Sequence, residues 1–127
     1  MRGSLEQIER GTFREEATHL CLDQPLGGDC AFVAFHCAAL GDVIGQSGAR
    51  GYRSALLEAG TVMGRLQLAV YALGRGASGI TFYDDDASAF LGTPASPMLV
   101  TTVGVPSYRP RPGKRPAEMA RLRVQLT

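Results

Sequence analysis

Apolar residues recur every three or four positions between Leu56 and Leu73, at Leu56, Ala59, Met63, Leu66, Val70 and Leu73. That spacing is one stripe of an α-helix, and it predicts a helix over residues 50–73. Leu57, Val62, Leu68, Ala69 and Ala72 add apolar positions on other faces, so the helix is expected to be covered on more than one side. Gly60 and Gly64 lie one turn apart within it. Each costs about 1 kcal/mol relative to alanine in a helix interior. Either the fold tolerates that cost, or a second backbone or a flat ligand approaches closely there. Gly74 and Gly76 predict the C-terminal cap.

Elsewhere the pattern is shorter. Ser4 with Gln7, and Thr12 with Glu15, have capping-box spacing, predicting helices over 4–10 and from 12 to about Leu20. Their inward residues would be Leu5, Ile8, Phe13, Ala17, Leu20 and Leu22. Residues 25–29 read as a turn, and 30–40 as a strand buried on both faces. The three glycines in 41–48 predict a flexible loop. Residues 77–83 read as a strand, and Asp84, Asp85 and Asp86 open a short helix that Leu91 and Gly92 close. A second buried strand is expected over 97–105. From Pro106 onward four prolines alternate with Arg109, Arg111, Lys114, Arg115, Arg121 and Arg123, against Glu118 alone, which predicts an extended basic arm. Three strands and one long helix make an α+β domain.

At 127 residues the chain is one domain at most, and 45% apolar with 20% charged residues is the balance of a folded globular protein. A net charge of +1 speaks against non-specific nucleic-acid binding by the whole domain. An acidic partner on the basic arm, such as RNA, would show itself as a steep salt dependence. Cys21, Cys30 and Cys37 contain no CxxC pair and are expected to be buried free thiols in the cytoplasm. Residues 1–10 lack an apolar leader core, and the longest apolar stretch, 31–40, is too short to span a bilayer.

Side-chain chemistry is sparse. Consecutive carboxylates at 84–86 do not converge on one ion and fit a helix start. His36 in its apolar run reads as a hydrogen-bonded core residue rather than a base. His19 and Asp23 flank Cys21, but no oxyanion site accompanies them. Gly74-x-Gly76-x-x-Gly79 follows a helix and precedes a strand, the reverse of the dinucleotide fingerprint. Tyr52 and Arg53 cap and pack the long helix or meet a ligand or partner. No catalytic side-chain set and no metal site is therefore predicted.

Taken in order, Gly51-Tyr52-Arg53, Glu58-Ala59-Gly60, Ala72-Leu73-Gly74, Phe82-Tyr83-Asp84-Asp85-Asp86 and Val103-Gly104 resemble the C-terminal half of FMN-dependent nitroreductases. The similarity is strongest to the SagB-type dehydrogenase branch, whose layout Gly11-Thr12-Phe13-Arg14 also matches. The resemblance implies a three-layer α+β fold with a small mixed sheet on a long central helix. It implies a nitroreductase-like unit over 1–106, lacking the family's N-terminal phosphate-gripping element, and a Pro/Arg-rich arm over 107–127. It further implies a homodimer with FMN between subunits, and hydride passing from NAD(P)H through FMN to an acceptor. Backbone amides at Ser78, Gly79, Ile80 and Thr81 would border the flavin ring, and Arg109 and Arg111 would hold its phosphate. The alternative is a dimerisation or docking module that kept the fold and lost the cofactor. A charge at Met63 is expected to break such a dimer.

Overall fold

In the structure, a computed structural model describing residues 5–108, the periodic segment forms a single helix, Ala49–Ala72. The elements along the chain are α1 (Arg14–Leu20), α2 (Pro25–Asp29), β1 (Phe32–Ala38), α3 (Leu40–Ser47), α4 (Ala49–Ala72), β2 (Gly76–Ile80), α5 (Asp84–Leu91) and β3 (Ser96–Gly104).

Helix α4 ends as its sequence predicts. Gly74 is left-handed at φ 67°, its N–H bonds to the Tyr71 carbonyl at 2.9 Å, and the Arg75 N–H reaches back to Val70 at 3.0 Å. This pair of reversed bonds is the Schellman closure, and it aims the chain directly into β2. The three aspartates occupy the first turn of α5, where their charge meets the positive end of the helix dipole. Gly92, left-handed, closes that helix.

The three strands pair in the order β1-β3-β2, antiparallel at both contacts, where the resemblance implied a mixed sheet. The last strand among the described residues is thus the middle one, with Val100, Thr101, Thr102 and Val103 all buried. Strand alternation sends Ala34, Thr101 and Gly79 to one face and Phe35, Val100 and Ile80 to the other. Helix α4 lies on the first face, where Ala55 and Ala59 join Met98 in a core flanked by Leu56 and Leu99. On the second face Phe35 meets Phe82 edge-on, with centroids 6.2 Å apart, beside α5 and its buried Ala87. Helix, sheet and α5 make the three layers.

Four expectations fail for identifiable reasons. Residues 5–10 are not helical, and Leu5 and Ile8 stand fully exposed. One or two isolated turns cannot meet the cost of helix nucleation without a surface to pack on. Residues 41–48 are not a loop, because Leu40 and Val43 of α3 pack on the α4 core and outweigh the glycines' entropy. Pro25–Asp29 is a helical turn, with Pro25 at a first-turn position that needs no N–H donor. Finally, β1 is an edge strand with Phe32 and Cys37 exposed, not a strand covered on both faces. Of the three free thiols only Cys21 and Cys30 are buried.

Candidate functional site

Four of the six residues expected at a flavin site share one groove. Ser78, Gly79, Ile80 and Thr81 line an open cavity of about 480 Å³ at the outer edge of β2, together with Met63 of α4, Leu99 and Val100 of β3, and Gln24 and Leu26. Arg109 and Arg111 lie outside the described residues.

The groove exists because β2 is an edge strand. Its inner side pairs with β3, and among the described residues its outer side has no strand beside it. The Ala77 carbonyl faces outward, accepting bonds from Gln67 Nε2 at 3.3 Å and the Tyr71 hydroxyl at 3.4 Å. Backbone groups alternate sides along a strand, so two residues on Gly79 also turns its N–H outward. Ser78 faces inward, its carbonyl taking the Thr102 hydroxyl at 3.1 Å. Gly79 is also a close-approach position: a Cβ built there would sit 2.5 Å from Met63 Cε and 3.4 Å from its Sδ. The glycine therefore keeps a backbone donor accessible beside Met63 and Leu99, which share its face of the sheet. Gln24 reaches across the groove mouth to Thr81 Oγ1 at 3.5 Å. Such a slot suits a flat, partly apolar ring with a hydrogen-bond acceptor at its rim.

A larger hollow of about 740 Å³ lies on the far side of the sheet, between Phe13, Arg14, Phe35 and Phe90 and the irregular residues 6–9. One wall of it is a segment with no regular structure. It holds none of the residues expected beside a flavin ring, whereas Ser78, Gly79, Ile80 and Thr81 all lie at the β2 edge.

His36 lies outside the groove, on the α4 face of the sheet. Its Nε2 is 2.9 Å from Oγ1 of Thr101, a side chain with no exposed surface, as expected for a core histidine. Burial pushes its pKa below the usual 6.5. The fold thus prefers the neutral ring while the unfolded chain binds a proton from pH 6.5 downward. Stability is therefore fully present above pH 6.5 and falls as the pH drops through the folded pKa. Urea midpoints measured from pH 7 to pH 5 should show this decline, and the His36→Gln variant should show less of it. An equal decline in both would remove His36 as the cause.

Sequence reasoning missed a cluster beside the groove. His19, Asp23, Tyr83 and Asp86 meet on the surface, with His19 Nδ1 3.0 Å from Asp23 and Nε2 3.2 Å from Asp86. The four-residue step from His19 to Asp23 at a helix end was a readable signal. Asp86 is remote in the chain and offered none.

The three-layer α+β arrangement thus carries an open groove along the free edge of β2. The chain belongs to the nitroreductase family, whose profile matches residues 3–105. Among solved structures it is similar to a presumed nitroreductase from Anabaena variabilis ATCC 29413, with 42% identity and a TM-score of 0.74 over 79% of this chain. This chain spans 21% of the length of that one. No curated protein matches it.

Proposed function

We propose that this chain contributes the flavin-ring side of an FMN-dependent oxidoreductase of the SagB-type dehydrogenase branch. The observation that carries this reading is the close-approach glycine at position 79 in an open groove at the edge of the sheet, where strand alternation turns its N–H outward. FMN, when bound, supplies hydride transfer from NAD(P)H to an acceptor. Of the four amides at Ser78, Gly79, Ile80 and Thr81, those of Gly79 and Thr81 fall on the outward side by strand alternation and would orient the ring, with Gly79 offering a donor where negative charge would collect. Met63 and Leu99 keep water from the ring face. Arg109 and Arg111 would neutralise the phosphate, since a guanidinium fork matches its oxygens. The flavin-type unit would take up 1–106, and 107–127 would serve as the basic arm. Free thiols fit work in the reducing cytoplasm.

The test is a visible absorption spectrum of purified protein mixed with FMN and passed through gel filtration. A flavin band that co-elutes with the protein and bleaches with NADH or NADPH is expected. Colourless protein at FMN concentrations well above micromolar would overturn the reading.

A homodimer belongs to the same proposal. The side of α4 turned from the sheet carries Leu57 and Leu68, 74% and 72% exposed, with Thr61 and Gly64 between them. A Cβ at Gly64 would meet nothing within 4 Å in its own chain, which leaves room for a partner's backbone. Met63 points the other way, onto its own β2, so a charge there would damage the groove rather than probe the dimer. Leu68→Glu is the appropriate change. It should convert dimer to monomer in analytical ultracentrifugation while the circular dichroism spectrum stays unchanged. A Leu68→Glu dimer of unaltered affinity would place the interface elsewhere.

A further inference from the structure

The surface cluster of His19, Asp23, Tyr83 and Asp86 has no part in the flavin chemistry proposed above. His19 lies in the last turn of α1, Asp23 in the loop after it, Tyr83 at the start of α5 and Asp86 in the first turn of α5. His19 bridges the two carboxylates at 3.0 and 3.2 Å. The Tyr83 hydroxyl donates to the second oxygen of Asp23 at 3.2 Å, and the His19 and Tyr83 rings lie 5.2 Å apart. Among the described residues these are the two ion pairs.

The backbone beside the cluster is strained. Leu22 and Asp23 are left-handed, at φ 57° and 54°. A branched residue such as leucine avoids that region, and it persists there only where its surroundings enforce it. The Tyr83 N–H bonds to the Leu20 carbonyl at 2.9 Å, tying the end of α1 to the start of α5. The next residue after Asp23 is Gln24, which with Leu26 walls the groove and reaches Thr81. The strained loop and the groove wall are one short segment.

We propose that His19, Asp23, Tyr83 and Asp86 form a pH-responsive latch that holds the 22–26 loop against the β2 edge and sets how tightly the groove grips its ligand. The grip on a flavin rests on the function proposed above; the latch itself does not. Protonated His19 donates from both ring nitrogens and can satisfy both carboxylates. Neutral His19 donates from only one, and its other nitrogen then turns a lone pair toward a carboxylate. The groups around it are Asp23 from the loop, Tyr83 and Asp86 from α5, and Glu15 and Glu16 one turn back on its own helix. Every charged one is acidic, and the Asp23 contact raises the His19 pKa above 6.5 against the opposing desolvation, with Asp86 adding to the rise. The latch is closed below that pKa and opens as His19 gives its proton to solvent at higher pH. His19 and Asp23 are positioning residues, acting on the ligand through Gln24.

Two substitutions separate the charge from the scaffold. His19→Gln keeps a hydrogen-bonding side chain without titration. Asp23→Asn keeps a residue type that accepts the left-handed backbone while removing the charge. Amide hydrogen exchange of Gln24 and Tyr83 is followed from pH 6 to 9 in the full chain without ligand, corrected for intrinsic rates. Wild-type protection should fall as His19 titrates, while both variants stay flat. Flat wild-type protection, or an unchanged slope in His19→Gln, overturns the latch. FMN dissociation constants over the same range should weaken in parallel in the wild type only, His19→Gln carrying any slope from the phosphate itself. FMN affinity that ignores pH while the amides respond overturns the coupling to the groove. FMN that binds at no pH sinks the flavin reading, and the amide exchange still decides the latch.

Discussion

Replacing Gly27 with valine should cost the fold about 3 kcal/mol, at the upper end of the usual range for overpacking a tight core site. A Cβ at Gly27 would press into the Ala17 carbonyl oxygen, lying 2.9 Å from Cys21 Cβ and 3.0 Å from the Ala17 carbonyl carbon. Two of these three atoms are backbone of α1 and cannot swing aside as a side-chain tip could. Relief requires α1 and α2 to move apart, which would uncover Leu20 and Cys21, both buried. For a domain of this size the melting temperature should fall by about 10 °C. Gly64→Ala is the natural comparison. In its open position it should stabilise the isolated chain by about 1 kcal/mol through helix propensity. Thermal melts of the two variants side by side check both signs. A Gly27→Val protein within about 0.5 kcal/mol of wild type, the scale of a neutral surface change, would mean that the α1–α2 contact is looser than the structure shows.

The second large effect is on ligand binding. Gly79→Val should reduce FMN affinity by at least about a hundredfold, equivalent to roughly 2.8 kcal/mol. The added side chain meets the flexible end of Met63, which can yield, so the fold should survive. It can yield only by moving within the groove, where Met63 is itself a wall. The groove floor therefore fills whichever way the contact resolves. Removing the Met63 side chain as well, in Gly79→Ala/Met63→Ala, should recover part of the affinity lost in Gly79→Ala alone, because the two changes share one volume. Isothermal titration with FMN measures all four proteins. Independent, additive losses would show that Gly79 and Met63 do not border the same ligand.

The parts of the fold legible in the sequence were those fixed by local rules. The three- and four-residue spacing gave α4, Gly74 gave its end, and the three aspartates with Gly92 gave α5. What escaped was decided by distant contacts. Leu40 and Val43 turn a glycine-rich stretch into α3 only because α4 offers an apolar surface beside it. Leu5 and Ile8 lack such a surface, so a good capping box at 4–10 produces no helix. The edge position of β1 could not be read from an apolar run, which looks alike in an edge strand and a central one. At the site, the run Ser78, Gly79, Ile80 and Thr81 was reached through resemblance. Its wall, Gln24 and Leu26, was not, since it follows a turn in which Leu22, a residue that avoids the left-handed region, precedes Asp23 in the same conformation.

The placement of β3 at the centre of the sheet also governs how the chain can be made. Phe32 pairs with Val103 and Gly76 with Gly104, so neither earlier strand has its partner until nearly all the described sequence has left the ribosome. Until then β1 waits as an unpaired apolar strand, while α4, whose bonds are local, is free to form at once. Synthesis halted before residue 96 would leave helices without a sheet. The slow step in folding should accordingly be the insertion of this final strand between two that have long been waiting for it.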